Sequence, residues 1–294
     1  MGTPNRLRKI HQANTLFFRQ LLSRKTLETV SGCFNKAVFV LLYEGMKQVL
    51  EVVRNTDEAQ EFYKYALEKL NNAGFSYMIG GAFALFKHTG IYRDTKDLDI
   101  FCKAGDYIKM LKLFAEDGFR TEITDARWIA KAFKEEYFID FIFNTPNSVC
   151  AVDDTWIKNA TPGEHSGVPT LFLPAEELFW CKIYVQNRDR FDGADVNHIL
   201  LKKGKELDWK RILMRMDQHW HLLFAQLLNF QFVYPSERDN IPRWVIDALL
   251  ERTKEQYDLP ASIEKVCRGP LIEHTHYNMD ITEWEYKIIT CKRL

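Results

Sequence analysis

Apolar residues recur at helical spacing through the first quarter of the chain. Between residues 34 and 54 they return every three or four positions, which is typical of one buried helix face. A second run of this kind continues to about Asn72, after the cap-forming residues Thr56 and Asp57. The pattern predicts an N-terminal helical segment over residues 1–72, in which residues 1–30 lack firm periodicity and are weakly ordered.

The pattern changes after residue 73 to short apolar runs, which indicate strands. The run at 137–143 is almost wholly apolar, as expected for a centre strand that is buried on both faces. Gly80 and Gly81 separate the first of these strands from a short helix at 82–88. The pattern predicts a mixed α/β core over residues 73–173. Its expected strands lie at 75–79, 98–103, 119–123, 128–133, 137–143 and 168–173.

Beyond residue 174 the apolar spacing is helical again. Pro174 and the acidic residues Glu176 and Glu177 are typical of the first turn of a helix. A C-terminal helical domain is therefore expected over residues 174–294. Together the three regions predict an α+β fold, with a small mixed β-sheet core between N-terminal helices and this C-terminal domain.

Composition and charge limit the possible partners and cellular locations of the protein. The 294 residues carry no formal net charge, so no global basic field favours DNA as a partner. The six cysteines form no C-x-x-C pair, which favours reduced thiols in a cytoplasmic protein. The most apolar N-terminal stretch, 37–50, contains Glu44 and Lys47 and is too short to span a membrane. The basic first 27 residues indicate an amphipathic extension rather than a transit peptide.

Two acidic residues alternate at the start of the second predicted strand. Because strand side chains alternate, Asp97 and Asp99 face the same side, about 6 to 7 Å apart. Carboxylates are the oxygen ligands that Mg²⁺ prefers, and Mg²⁺ commonly also binds substrate phosphates. An Asp-x-Asp pair alone is more often a solvated strand end than a metal site.

A third acid, Asp140, stands at the centre of an otherwise apolar strand. A buried carboxylate is very costly unless it is paired or binds a metal. The sequence leaves two alternatives open. Asp140 either pairs with a buried arginine or lysine, or it completes a carboxylate cluster with Asp97 and Asp99.

The turn at Gly80 and Gly81 has the composition of a phosphate-binding turn, although such a turn taken alone is more often a plain tight turn. Glycines let the backbone approach a phosphate closely, and a helix N-terminus offers free N–H groups. No Gly-Lys-Ser/Thr follows, so the turn is not a P-loop. Arg93 and Lys96 precede the acidic pair and can neutralise phosphate charge, although a solvated loop is equally consistent with them.

These parts, in this order, resemble the DNA polymerase beta-like nucleotidyltransferase superfamily. The resemblance rests on Ile79-Gly80-Gly81, on Asp97-Leu98-Asp99 and on Asp140, and it covers residues 75–143. The run from Arg93 to Ile100 is most similar to bacterial stand-alone members of the abortive-infection toxin and minimal nucleotidyltransferase kind. Many members have serine at the second position of the turn, where this chain has Gly81.

The resemblance implies a reaction and a set of site residues. It implies two Mg²⁺ ions, with Mn²⁺ as an alternative, held by the catalytic residues Asp97, Asp99 and Asp140. It also implies transfer of a nucleoside monophosphate from a triphosphate such as ATP, with release of pyrophosphate. By the same resemblance, Asp140 helps to activate the acceptor hydroxyl and Lys182 contacts the triphosphate. The acceptor is left open between a protein side chain, a tRNA 3′ end and a small molecule.

Two other functions stay open at this point. One is a catalytically silent member of the superfamily that serves as a binding partner. The other is a phosphohydrolase that uses the same acids and releases phosphate instead of pyrophosphate. If the chain is an enzyme, we expect Asp99→Asn to abolish turnover and to leave the melting temperature nearly unchanged.

Overall fold

The structure is a computed structural model that describes residues 57–93, 95 and 97–288. Contacts divide the chain into two compact units, Met1–Arg54 and Asn55–Leu294, and every described residue belongs to the second. The helix expected at 34–54, the basic first 27 residues and Lys96 lie outside the described residues. The domain boundaries expected after residues 72 and 173 stay predictions.

A seven-stranded mixed sheet forms the centre of this unit. Its strands stand in the order β3-β4-β5-β2-β1-β7-β6. Strand β5 runs parallel to β2, β1 runs parallel to β7, and the other neighbours are antiparallel. The strands are β1 (Met78–Ile79), β2 (Asp97–Phe101), β3 (Arg120–Asp125), β4 (Ile129–Lys134), β5 (Tyr137–Ile142), β6 (Thr161–His165) and β7 (Val168–Phe172).

Helices precede the sheet, connect its strands and follow it, which confirms the predicted α+β class. Short 3₁₀ segments lie at Asp217–His219, Pro235–Asn240 and Gly269–Leu271, and a small parallel pair, β8 (Val266–Cys267) and β9 (Lys287–Ile288), stands apart. The helices are α1 (Asp57–Asn72), α2 (Gly81–Thr89), α3 (Tyr107–Ala115), α4 (Asp154–Lys158), α5 (Ala175–Lys182), α6 (Gly193–Lys203), α7 (Trp209–Met216), α8 (Trp220–Val233), α9 (Arg243–Asp258) and α10 (Asn278–Thr282).

Strand β5 shows how the apolar pattern produces the core. Ile139 and Phe141 are fully buried on one face of the sheet, and Asp140 points to the other face. Helix α1 contributes Phe62 and Ala66, four residues apart on one face, to the same continuous core. The run of apolar residues at 137–143 therefore predicts the strand correctly.

Two elements differ from the expectation drawn from the sequence. Strand β6 contains Pro162 and Gly163, which favour a loop, but it lies at the edge of the sheet, where a missing backbone N–H is tolerated. Helix α4 falls between the strands expected at 137–143 and 168–173, where Pro146, Pro162 and Gly163 favour loops. It is capped by Asp153, whose side chain accepts a hydrogen bond from the Thr155 backbone N–H.

The helices after the sheet pack against one another and against α2. Helix α6 packs against α2 and α5, and α5 packs against α7. Glu177 of α5 is fully buried, with Oε2 3.2 Å from Arg211 Nη2 of α7. Because breaking a buried pair is costly, this contact fixes α5 relative to α7. Among the described helices, none is long and apolar enough to cross a membrane.

Candidate active site

A row of charged side chains crosses three adjacent strands of the sheet. The parallel register of β2 and β5 sets Asp99 beside Asp140, and the antiparallel register of β4 and β5 sets Lys131 on the other side of Asp140. Asp97 lies two residues before Asp99 and therefore on the same face. Asp97, Asp99 and Asp140 each offer an oxygen, and these oxygens all lie within 4.8 Å of one another. The sheet register thus assembles the cluster that the sequence left as one of two alternatives.

The other alternative, a pair with a buried basic residue, is present as well. Lys131 Nζ lies 2.5 Å from Asp140 Oδ1. Asp140 is 6% exposed, so its carboxylate has little access to water. The two possibilities are not exclusive, because a carboxylate has two oxygens and can pair with a lysine through one of them.

Burial and mutual repulsion strain the cluster electrostatically. Burial, followed by the charges of Asp97 and Asp140, raises the pKa of Asp99 to about 7. Burial also raises the pKa of Asp140, against the lowering effect of Lys131. Three carboxylates this close together are most stable with a cation between them, and all-oxygen donor sets suit Mg²⁺ and Mn²⁺. The residues present therefore fit a divalent metal ion.

The glycine turn closes one side of the cluster. Gly80 donates its backbone N–H to the Asp99 carbonyl at 2.8 Å. Gly81 has φ +52°, and a Cβ placed on it would lie 1.7 Å from Asp99 Oδ2. A side chain there would displace the Asp99 carboxylate or the turn, and glycine also adopts this left-handed conformation without strain. The first turn of α2 therefore lies directly against the Asp99 carboxylate.

Five charged side chains beyond the cluster form a network of ion pairs. Lys182 Nζ donates to Asp192 Oδ2 at 2.8 Å and to Asp195 Oδ2 at 2.7 Å, and all three side chains are buried. Arg190 pairs with Asp192 at 2.9 Å. At the other end of this network, Arg93 pairs with Asp195. The Lys182 ammonium is thus near the cluster, but it is already bonded to two carboxylates.

A cavity of about 390 Å³ opens above the carboxylates. This volume lies within the range of small-molecule sites in proteins. Its lining includes Gly81 and the cations Arg93, Lys182 and Arg190. Apolar or uncharged residues also line it, among them Trp128, Ile129, Ile142, Asn144, Thr145 and Pro146.

Comparison with known families identifies the family of this chain. The family model described as "Nucleotidyl transferase of unknown function (DUF2204)" matches residues 59–218, which is more than half of the chain. The chain belongs to this family. The membership confirms the resemblance to the polymerase beta-like superfamily and makes the protein a nucleotidyl transferase by family. No curated protein matches the chain at a significant level.

Solved structures of other nucleotidyl transferases are distantly similar to this one. A nucleotidyltransferase-like protein from Paracoccidioides brasiliensis is 17% identical over 63% of this chain and 94% of its own, with a TM-score of 0.43. The antibiotic-resistance factor ANT(2'')-Ia is 14% identical over 60% and 99%, with a TM-score of 0.40. The lincosamide adenylyltransferase LnuA, bound to lincomycin, is 17% identical over 49% and 96%, with a TM-score of 0.36.

In this nucleotidyl transferase, most residues singled out from the sequence lie around one cavity. Gly80 packs against the Phe101 ring, which a Cβ at residue 80 would approach to 2.2 Å. Lys96 is outside the described residues. The residues brought together at the cavity are Gly81, Arg93, Asp97, Asp99, Asp140 and Lys182.

Sequence reasoning missed Lys131 and the uncharged residues that line the cavity. A signal for Lys131 exists in the sequence. It shares one strand face with Ile129 and Phe133, and it is the charged residue of these three. The logic that singled out Asp140 applies to it equally. Trp128 and Asn144 carry no such signal, because they adjoin strand ends where polar and aromatic residues are common.

Proposed function

We propose that this protein is a metal-dependent nucleotidyltransferase. It transfers a nucleoside monophosphate from a nucleoside triphosphate to a hydroxyl acceptor and releases pyrophosphate. The observation that carries the proposal is the convergence of Asp97, Asp99 and Asp140 at one cavity that also holds Gly81 and Arg93. Acidic metal ligands beside a helix N-terminus and a cation suit the transfer of a charged phosphoryl group.

The proposal assigns a role to each part of the site. Asp97, Asp99 and Asp140 would hold two Mg²⁺ or Mn²⁺ ions, which when bound neutralise phosphate charge and lower the pKa of a coordinated hydroxyl. The first turn of α2 offers backbone N–H groups to phosphate oxygens. Asp140 lies on the β4 side of the cluster and would orient the acceptor hydroxyl and accept its proton.

The charged and the uncharged residues of the cavity lining suggest where each substrate binds. The triphosphate would lie along Arg93 and Arg190, where its negative charge is matched. The acceptor would then lie against Trp128 and Asn144, with its hydroxyl toward Asp140. The candidate acceptors stay a protein side chain, a tRNA 3′ end and a small molecule.

The proposal also includes a division of the chain into a core at 73–173 and a helical domain at 174–294. It further includes a cytoplasmic location.

A specific observation favours the second candidate, a silent binding protein. Lys182 is fully engaged with Asp192 and Asp195, so one cation expected for the triphosphate is neutralised within the protein. In that case the protein would bind a nucleotide or a partner without turnover. A phosphohydrolase would differ from both, because it would release orthophosphate.

Calorimetry with Mg²⁺ and each nucleoside triphosphate tests the proposal, combined with an enzyme-coupled assay for pyrophosphate. We expect binding of at least one triphosphate and Mg²⁺-dependent release of pyrophosphate when an acceptor is present. Absence of any triphosphate binding would contradict the proposal. Binding without pyrophosphate release in the presence of a cell lysate would favour the silent protein.

Lys182 and Arg93 should behave differently on substitution, although both face the cavity. Lys182→Met leaves Asp192 and Asp195 buried without their shared cation, so we expect a loss of about 3 kcal/mol in unfolding free energy. Arg93→Ala removes a side chain that is 43% exposed, so its cost should stay below about 1 kcal/mol. Arg93→Ala should instead raise the KM for the triphosphate. Urea unfolding and initial-rate kinetics of both variants measure this contrast, and equal stability losses would contradict the assignment.

A further inference from the structure

Lys131 is the basic residue that contacts the carboxylate cluster directly. It lies on β4 opposite Asp140, in a register that five neighbouring residue pairs of the same two strands also share. Its Nζ is 2.5 Å from Asp140 Oδ1. Because the contact is fixed by the ladder between two strands, it does not depend on the position of a loop.

The surroundings of the ammonium hold it in this place. The Lys131 side chain is 20% exposed and the Asp140 side chain 9% exposed, so water screens the pair weakly. The Phe138 ring lies beneath, with its centroid 4.3 Å from Lys131 Nζ. Phe138 is two residues from Asp140 and shares its face, so the ring and the carboxylate bind the same cation from two sides.

In the part of the chain that the structure describes, the other cations that line the cavity pair with acids outside the cluster. Lys182, Arg190 and Arg93 form their ion pairs with Asp192 and Asp195. Within 57–93, 95 and 97–288, no ion pair other than that of Lys131 reaches Asp97, Asp99 or Asp140. Among the described residues, Lys131 is therefore the cation paired directly with the cluster, and it lies at one end of the row.

We propose that Lys131 is a built-in counter-ion that competes with a divalent metal ion for Asp140. This inference rests on the proposed metal-dependent function and deepens it. The ammonium occupies one oxygen of Asp140 and neutralises one of the three negative charges. One divalent ion then binds firmly at Asp97 and Asp99 before the nucleotide arrives. A second ion at Asp140 binds weakly, because it must compete with a charge that the strand ladder holds in place.

The test is the binding of Mn²⁺ to the whole protein without nucleotide, followed by electron paramagnetic resonance and calorimetry at pH 8. The wild type should bind one Mn²⁺ firmly and a second weakly. Lys131→Met should tighten the second ion by roughly tenfold or more, because the competing charge is gone. Lys103→Met is the matched control: it breaks an exposed lysine pair with Asp154, of 2.8 Å, and should leave both affinities unchanged.

A second variant and a second measurement protect the test against misfolding. Lys131→Gln keeps a hydrogen-bond donor near Asp140 and removes the charge, so it should tighten the second ion in the same way. Both variants should melt at a lower temperature than the wild type in EDTA, and Mg²⁺ should raise their melting temperatures by more than it raises that of the wild type.

Two results would overturn the proposal. Equal affinities for two ions in the wild type would show that Lys131 does not compete, and so would unchanged affinities in both Lys131 variants. Failure of the proposed function would look different. In that case neither the wild type nor Lys103→Met would bind any Mn²⁺ that Asp97→Asn abolishes.

Discussion

Asp99→Asn is expected to abolish pyrophosphate release and, at the same time, to raise the melting temperature of the metal-free protein at pH 8. The loss of activity follows from the removal of a central carboxylate from the proposed metal site. The gain in stability follows from the pKa of Asp99, which burial and the charges of Asp97 and Asp140 raise to about 7. This second expectation differs from the one drawn from the sequence, where the melting temperature was expected to stay nearly unchanged.

The sign of the stability effect follows from proton binding. In the unfolded chain Asp99 loses its proton near pH 4, whereas in the folded protein it keeps the proton until about pH 7. Between these values the folded state binds more protons, so metal-free stability falls as pH rises. Above pH 7 the cost is complete, and asparagine avoids it. A rise of about three pKa units corresponds to about 4 kcal/mol. The asparagine side chain must still be buried as a polar group, so we expect a net gain of about 2 kcal/mol, or roughly 4–8 °C.

Differential scanning calorimetry in EDTA at pH 4.5 and pH 8, and again at pH 8 with Mg²⁺, measures the effect. The advantage of Asp99→Asn should appear at pH 8, shrink at pH 4.5 and disappear when Mg²⁺ stabilises the wild type. Asp189→Asn changes an exposed acid next to Arg190 in the sequence, serves as control and should change neither property. A lower melting temperature for Asp99→Asn in EDTA at pH 8, or retained turnover, would contradict the account.

The second large effect is expected for Gly81→Ala. The new Cβ would lie 1.7 Å from Asp99 Oδ2, so the Asp99 carboxylate must rotate away or the turn must shift. Displacement of a metal ligand by about 1 Å can reduce a rate by about 100-fold. The left-handed conformation of Gly81 adds a cost of roughly 1–2 kcal/mol for a residue with a Cβ.

Gly90→Ala is a matched control at the other end of the same helix. Gly90 has φ +73°, similar to the φ +52° of Gly81, but a Cβ placed on Gly90 would meet no atom within 4 Å. Both variants should lose similar stability through backbone strain, and Gly81→Ala should lose much more turnover. Steady-state kinetics and urea unfolding of the two variants separate these effects. Equal activity in the two variants would show that the contact with Asp99 is unimportant.

The same geometry explains the departure of this chain from the family pattern. Many members of the superfamily have serine at the position of Gly81, and the sequence alone suggests that the chain lacks a useful hydroxyl. In this structure any Cβ at Gly81 meets Asp99 Oδ2. We therefore expect Gly81→Ser to lose activity rather than gain it.

Local patterns were sufficient to predict the residues that the strands carry. Alternation placed Asp97 and Asp99 on one face, and the apolar neighbours of Asp140 placed it in a central strand. These signals arise within single elements, because strand periodicity and burial are properties of short stretches. They did not show which residues lie side by side, since the register between strands depends on the whole sheet.

Two of the ion pairs around the site were beyond local reasoning for that reason, whereas the pair of Arg190 with Asp192 lies within one short stretch. Lys131 meets Asp140 only through the β4–β5 register, and Lys182 meets Asp195 only through the packing of α5 against α6. Strand β6 was missed because Pro162 weakens its local signal, although an edge position accommodates the residue. The stretch 34–54 and Lys96 lie outside the described residues, so the expectations for them stay predictions.

The central claim is tested most directly by following the α-phosphate of a labelled nucleoside triphosphate. The wild type and Asp99→Asn are each incubated with Mg²⁺, a cell lysate and one triphosphate labelled at the α- or the γ-phosphate. We expect the α-label to be transferred to an acceptor by the wild type alone, while the γ-label leaves as pyrophosphate. Equal transfer by Asp99→Asn, transfer of the γ-label, or release of orthophosphate alone would contradict nucleotidyl transfer at this site.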